Sequence, residues 1–211
     1  MKCRVCNNKS IETVGQNRLR KFCYCESCGL VFVPEQYWVS IEEEKKRYEQ
    51  HNNTPKNEGY VKFLKQIVNV VCNISKPSSS PRILDFGCGE SAVLTTLLIE
   101  NGFDCTAYDP LFDINIDNDG PLYDIIILCE VIEHIRDIEA ELDKVKKLIN
   151  ENGVLIIRTR LYSSEKKIEN WWYAQDKTHI NFFARRTMDG IARMVNRQKV
   201  VPKAEDIFVI E

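Results

Sequence analysis

The sequence predicts an α/β fold in three layers, a largely parallel sheet with helices on both faces, preceded by a small cysteine-bearing module. Three observations predict it. From Arg82 onward, short apolar runs alternate with amphipathic stretches, the pattern of strands joined by crossover helices. A turn with two glycines, "ILDFGCGES" at residues 83–91, stands where the first such strand would meet the first such helix. Five of the nine cysteines, Cys3, Cys6, Cys23, Cys25 and Cys28, fall before residue 35.

Taken in order, residues 1–34 are short, polar and turn-rich, and they form the module. Residues 35–58 read as a helical connector, because Ser40-Ile41-Glu42-Glu43 fits a capping box in which Ser40 and Glu43 satisfy each other's orphan backbone donors. Residues 59–211 read as the main domain. Val61, Leu64, Val68 and Val71 keep helical spacing, and "SKPSSSP" breaks that helix. "RILDF" is the first strand; a helix from about Ser91 to Glu100 stops at Asn101-Gly102, and "DCTAYD" is the second strand. "YDIIILC" is the most apolar strand and belongs at the sheet centre. A helix over about 137–149 is expected to stop near Asn152-Gly153, before the strand "GVLIIRT". An aromatic loop, "NWWYAQDKTHINFF", a helix near 187–195 and the strand candidates "KVV" and "DIFVIE" complete the chain.

Composition narrows the function. At 211 residues there is room for one full α/β domain and an appendage. Charge is nearly balanced, 29 basic against 31 acidic residues for a net −2, which offers no global attraction to RNA or DNA, so a nucleic-acid partner is not expected. No apolar run approaches a membrane span, and Met1-Lys2-Cys3 lacks a secretory h-region, so a cytoplasmic protein with reduced thiols and no membrane partner is expected.

Cys3-x2-Cys6 and Cys25-x2-Cys28 are separated by 18 residues, inside the spacing of structural zinc sites. Each turn aims two thiolates at one ion, and four such ligands close the tetrahedron that Zn2+ accepts. Cys23 is a competing but poorer-spaced ligand. Cys72, Cys88, Cys105 and Cys129 read as ordinary small core residues.

The glycine turn lacks the Gly-Lys-Ser/Thr ending of a phosphate loop, and Val93 and Leu94 follow where a dinucleotide fingerprint would have its third glycine. Asp109, twenty residues after Gly89 at the end of the second strand, is placed to accept hydrogen bonds from both hydroxyls of a ribose. Together with "YDIIILCEVIEHI", these residues resemble the class I S-adenosylmethionine-dependent methyltransferases over roughly residues 56–211.

That resemblance implies a Rossmann-like sheet and S-adenosylmethionine as cofactor. It implies that Gly87, Cys88 and Gly89 line the methionine portion, that Asp109 holds the ribose, and that Pro110 and Leu111 touch the adenine. Cys129 and Glu130 would border the methionine and the acceptor, and Asp85 would order the loop and the cofactor's amine. Tyr60 would cover the cofactor or serve the core. The chain departs from the family between Asp109 and Tyr123, where the usual helix and third strand are compressed into thirteen residues; Asp117 is a candidate adenine contact there.

Transfer to a hydroxyl, ammonium or carbon acid needs a base, and histidine titrates nearest neutrality. Of three histidines, His51 reads as exposed, whereas His134 follows the central strand and His179 lies in a loop returning to the same crevice. His134 and His179 are therefore the candidate bases, with Asp176 a candidate orienter of His179. Trp171, Trp172, Tyr173, Phe182 and Phe183 are a candidate apolar lid, or an aromatic cluster that simply packs. The "EHI" and "THINFF" stretches resemble methyltransferases of small molecules, and the cysteine module resembles that of zinc-bearing sugar C-methyltransferases, whose extra C-terminal domain has no counterpart here. The expected function is methyl transfer to a small-molecule acceptor, beside a structural zinc. The rivals are an RNA or protein methyltransferase docking through the zinc module and a non-catalytic binder of S-adenosylmethionine. The compressed segment leaves room for a homo-oligomer in which a second subunit completes the acceptor site.

Overall fold

The structure, a computed structural model, describes residues 1–75, 80–116, 120–163 and 167–211. Asp117 and part of the "SKPSSSP" break lie outside them.

The N-terminal segment makes three antiparallel strands, β1 (Ile11–Gln16), β2 (Lys21–Cys25) and β3 (Val31–Phe32). Helix α1 (Ile41–Glu49) follows, and its start is the capping box read from the sequence: Glu43 N donates to Ser40 Oγ at 3.2 Å and Ser40 N to Glu43 Oε2 at 3.0 Å. Helix α2 (Glu58–Ile74) buries Leu64, Ile67, Val68, Val70 and Val71, the stripe that its 3.6-residue period aligns, each side chain contributing about 2 kcal/mol of burial.

Next come β4 (Arg82–Phe86), α3 (Val93–Glu100), β5 (Asp104–Tyr108), β6 (Tyr123–Cys129), α4 (Ile138–Leu148) and β7 (Ile149–Arg158). The chain closes with β8 (Asn181–Phe182), α5 (Arg185–Met194), β9 (Val200–Pro202) and β10 (Ile207–Ile210). Helix α4 ends earlier than the expected stop near Gly153: Ile149 already pairs with Tyr123, and the register shifts before Val154 meets Ile125. An added Cβ at Gly153 would come within 3.0 Å of the Tyr123 and Asn150 carbonyls, so this glycine lets the irregular start of β7 lie against β6.

Six strands form the main sheet in the order β5-β4-β6-β7-β10-β9, parallel from β5 through β7 and antiparallel beyond. The apolar β6 is central, as expected. Its residues alternate between faces: Ile125 and Ile127 pack with α2 and α3, whereas Ile126 and Leu128 pack with α4 and α5. A sheet buried on both faces reads as a continuous apolar run for this reason. Between β5 and β6 the described residues hold only a 3-10 turn, Pro110–Phe112, in agreement with the compression seen in the sequence.

A second sheet, β1-β2-β3-β8, joins the N-terminal segment to the stretch that follows β7, because Val31 and Phe32 pair with Phe182 and Asn181. The cysteine-bearing segment is thereby continuous with the loop after β7. Among the described residues no helix is long and apolar enough to cross a membrane.

Candidate active site

β4 pairs with β5 on one side and β6 on the other, so the chain reverses direction of growth at β4 and a crevice opens at the carboxyl ends of these strands. A cleft of about 1460 Å³ lies there, more than one cofactor-sized ligand requires. Gly87, Cys88, Gly89, Asp109, Pro110, Leu111, Cys129 and Glu130 all line it, as do His134 and His179.

The glycine turn is held by the neighbouring strand: Gly87 N and Cys88 N donate to Tyr108 O at 2.7 and 3.1 Å. Gly87 and Gly89 have φ of +84° and +68°, the region where a side chain is strained. A Cβ on Gly87 would lie 2.5 Å from Val131 Cγ2, whereas one on Gly89 would meet nothing within 4 Å. Gly87 thus permits close packing and Gly89 leaves space. Asp109 accepts from Gly89 N (2.9 Å, Oδ2) and Leu111 N (3.0 Å, Oδ1), which leaves each oxygen a second acceptor position. A bare backbone beside a carboxylate with free acceptor capacity fits an adenosyl ligand with a ribose diol.

Asp85 is 2% exposed beneath that wall. Its Oδ2 accepts from Thr95 Oγ1 at 2.8 Å, fastening the turn to α3, and burial raises its carboxyl to about 6. Glu130 stands at φ +55°, an uncommon conformation for a side-chain-bearing residue, and burial raises it to about 7. Tyr60 lines the cleft, stacked on Phe63.

His134 and His179 come together, their rings 4.6 Å apart edge to face. His134 Nδ1 lies 3.1 Å from Thr178 O and His179 Nδ1 lies 2.8 Å from Tyr173 O. A carbonyl only accepts, so both rings carry their proton on Nδ1 and present an unprotonated Nε2. Burial pushes His134 well below its ordinary value and His179 down to about 4, so both are neutral at pH 7.

The Asp176 carboxylate does not bond the His179 ring, although His179 N donates to the Asp176 carbonyl at 3.3 Å. Its Oδ1 takes Thr178 N and Oγ1, and its Oδ2 takes Arg47 Nε and Nη2 from α1. Those hydrogen bonds and charges outweigh its burial and hold its carboxyl below the ordinary range. His51, expected in an exposed loop, lies in the cleft wall, 3.9 Å from Asp176 and edge-on to Tyr48.

Of the aromatic residues read as a lid, only Trp172 and Tyr173 line the cleft. Trp171 and Phe182 pack with Phe22, Val31 and Val33, and Phe183 packs with the main core, because β8 draws this loop under β3. The residues that cover the cleft are instead on α1: Tyr48 packs edge-on against His134, and Glu44 pairs with Arg136 at 2.9 Å.

Sequence reasoning missed Glu133, which is fully buried with Tyr173 Oη donating to its Oε1 at 2.5 Å and, more weakly, to Glu130 Oε2 at 3.2 Å. Burial pushes the Glu133 carboxyl far up. Glu133, His134 and His179 each bring one ligand atom within 4.8 Å of the others.

At the other end, Cys3, Cys6, Cys25 and Cys28 place their sulfurs within 4.8 Å of one another, with Cys3 to Cys28 at 3.4 Å and Cys6 to Cys25 at 3.5 Å. A disulfide needs about 2.05 Å, whereas tetrahedral Zn–S bonds of about 2.3 Å put sulfurs about 3.8 Å apart. The two knuckles share one geometry: Asn7 N donates to Cys3 O and Gly29 N to Cys25 O, with φ of +57° and +78°. Cys23 lies outside the cluster.

A sheet with this strand order, a glycine turn at its switch point and a carboxylate at the neighbouring strand's tip are the arrangement of a methyltransferase domain. The methyltransferase-domain family model matches residues 50–198, and the chain belongs to that family. The ubiquinone biosynthesis O-methyltransferase of Rickettsia conorii is 33% identical over 109 residues, 41% of this chain and 37% of that protein. That of Rickettsia canadensis is 29% identical over 119 residues, 46% and 50%. The chain thus matches half or less of the length of these curated relatives. Among solved structures, an O-methyltransferase family protein from Burkholderia thailandensis shares the fold, with TM-score 0.56 at 13% identity over 79% of this chain and 61% of that one.

Proposed function

We propose that the chain transfers a methyl group to a hydroxyl of a small aromatic acceptor and carries a structural zinc on Cys3, Cys6, Cys25 and Cys28. The observation that carries the first part is the pair of neutral imidazoles, each with an unprotonated Nε2, lining the cleft that also holds the glycine turn and Asp109. The O-methyltransferase names of the relatives support it, and Tyr48, Trp172 and Tyr173 supply apolar surface for a ring.

S-adenosylmethionine, when bound, supplies a methyl group already activated on a positively charged sulfur. The chain's own contribution is then alignment, exclusion of water and removal of one proton. Gly87, Cys88 and Gly89 let backbone approach the methionine portion; Asp109 accepts from the ribose; Pro110 and Leu111 flank the base; Cys129 and Glu130 border the transfer point. His134 or His179 takes the acceptor's hydroxyl proton on Nε2. Asp176 offsets the positive charge that forms on His179, and the carbonyls of Thr178 and Tyr173 hold the opposite ring nitrogens. Helix α1, fastened by Arg47 to Asp176 and Glu44 to Arg136, closes the mouth.

Calorimetric titration with S-adenosylmethionine and S-adenosylhomocysteine tests the cofactor site. The wild type is expected to bind both, and Asp109→Ala to lose at least tenfold, about 1.4 kcal/mol; unaltered binding in the variant would contradict the ribose assignment. Release of S-adenosylhomocysteine with 3,4-dihydroxybenzoate as probe tests the acceptor class, and a preference for amines instead would redirect it. One equivalent of zinc per chain is expected by elemental analysis.

A second reading is favoured by the proximity of Glu133, His134 and His179. A divalent cation held there would acidify the acceptor's hydroxyl directly, and methyl transfer would stop on treatment with EDTA and return with Mg2+ or Zn2+.

A further inference from the structure

We propose that Arg20, on the turn between β1 and β2, is a positioning residue for methyl transfer, its guanidinium fixing the carbonyl frame that aims His134 and His179 into the cleft. The functional half of this inference rests on the methyl-transfer reading above.

Arg20 is 3% exposed and, among the described residues, makes no carboxylate pair within salt-bridge distance. Its Nη1 donates to Lys177 O at 3.1 Å and His179 O at 2.8 Å; its Nη2 donates to Ala174 O at 2.5 Å and Asp176 O at 2.6 Å. Four bonds from one planar cation thus gather one six-residue segment. The guanidinium also lies over the rings of Phe22 and Phe182, 5.3 and 5.9 Å from their centroids, which holds its plane.

The gathered segment contains or adjoins both carbonyls that set the imidazole tautomers, Thr178 O for His134 and Tyr173 O for His179. Without the cation, four buried or half-buried carbonyls would lose their donors, and residues 173–179, which hold no long helix or strand, would have no reason to keep both carbonyls turned toward the rings.

A second tie runs in parallel. Arg4, inside the first cysteine knuckle, donates to Asn181 Oδ1 at 3.0 Å and to Val33 O at 2.7 Å. Asn181 Nδ2 donates to Ile135 O, and Ile180 N and Asn181 N both donate to Glu133 O. The turn that bears His134 is therefore held from the cysteine-bearing sheet as well. Among the described residues none of that sheet's strands lines the cleft, and its ties run to the segments bearing His134 and His179, so its service is to the acceptor half of the site.

The test uses the full chain with its metal, as Arg20→Met and Arg20→Lys. Nitrogen-15 NMR of the histidine rings, recorded without acceptor, is expected to show two Nδ1–H tautomers in the wild type, mixed tautomers in the Met variant and an intermediate state in the Lys variant, which keeps the charge without the fork. Affinity for S-adenosylmethionine is expected to stay within twofold, while kcat with 3,4-dihydroxybenzoate falls at least tenfold. Wild-type tautomers and wild-type kcat in both variants would overturn the proposal. So would loss of cofactor affinity in the Lys variant, which would make Arg20 a general stability element. Should the Met variant not fold, the Lys variant decides alone. Should the wild type turn over no hydroxyl acceptor, the methyl-transfer reading fails while the ring spectra still decide what Arg20 does.

Discussion

Asp85 shows how one residue's environment becomes a measurable property. It is nine-tenths or more enclosed, accepts one bond from Thr95, and feels the negative Asp109 nearby, so its carboxyl titrates at about 6 instead of 3.8. The folded state therefore binds a proton that the unfolded state has released, and the stability from this residue is full below pH 3.8 and lost as pH rises to about 6. Asp85→Asn, which keeps an acceptor for Thr95, is expected to gain on the wild type by up to about 3 kcal/mol between pH 4 and pH 7. Urea unfolding at the two pH values measures this, and parallel pH profiles for the two proteins would refute it. The adjacent glycines separate by the same local reasoning. Gly89→Ala is expected to cost only about 1 kcal/mol of stability, the left-handed penalty, yet to lower cofactor affinity by filling the space beside Asp109. Gly87→Ala adds a collision with Val131 and is expected to lower the melting temperature more.

At the level of elements, period and punctuation carried most of the reading. The continuous apolar run of β6 named the central strand, the Ser40–Glu43 pair located the start of α1, and the missing stretch before Tyr123 foretold the short connection. The part that two elements play in the cleft was set by tertiary packing. The aromatic run reads as a lid or as core packing, and nothing local distinguishes them; strand β8, two residues long, decides by pairing with β3. Helix α1 read as a charged connector, and it buries no residue. It covers the cleft through ion pairs and Tyr48 instead. Arg47→Ala is accordingly expected to change stability by less than about 1 kcal/mol, since the pair is half exposed on the arginine side, while raising the dissociation rate of S-adenosylhomocysteine, as stopped-flow fluorescence would register.

For the molecule as a whole, Cys3, Cys25 and Cys28 share one continuous buried cluster with Leu84, Leu128 and Ile157 of the main sheet. Loss of the proposed zinc should therefore be felt by the entire fold. Chelation, or Cys25→Ser, is expected to lower the melting temperature by more than about 5 °C, the shift that roughly 2 kcal/mol makes in a chain of this size. A single calorimetric transition should remain, and a separate early transition confined to the first 34 residues would contradict the shared core.

What could be read from the chain alone were features written within a few residues: strand and helix periods, the bare turn at residues 87–89, the carboxylate ending the second strand, and two cysteine knuckles at matching spacing. Asn7, the counterpart of Gly29, was legible in principle, since asparagine is the residue that most often replaces glycine in the left-handed region. Folding in three dimensions supplied the rest. The grip of Arg20 on residues more than 150 positions away, the closure of Tyr173 on Glu133, and the turning of both histidines into one cleft leave no local periodic signature. A buried polar group takes whichever partner the packed chain brings to it, and that choice is made by distance in space, which a linear pattern does not record.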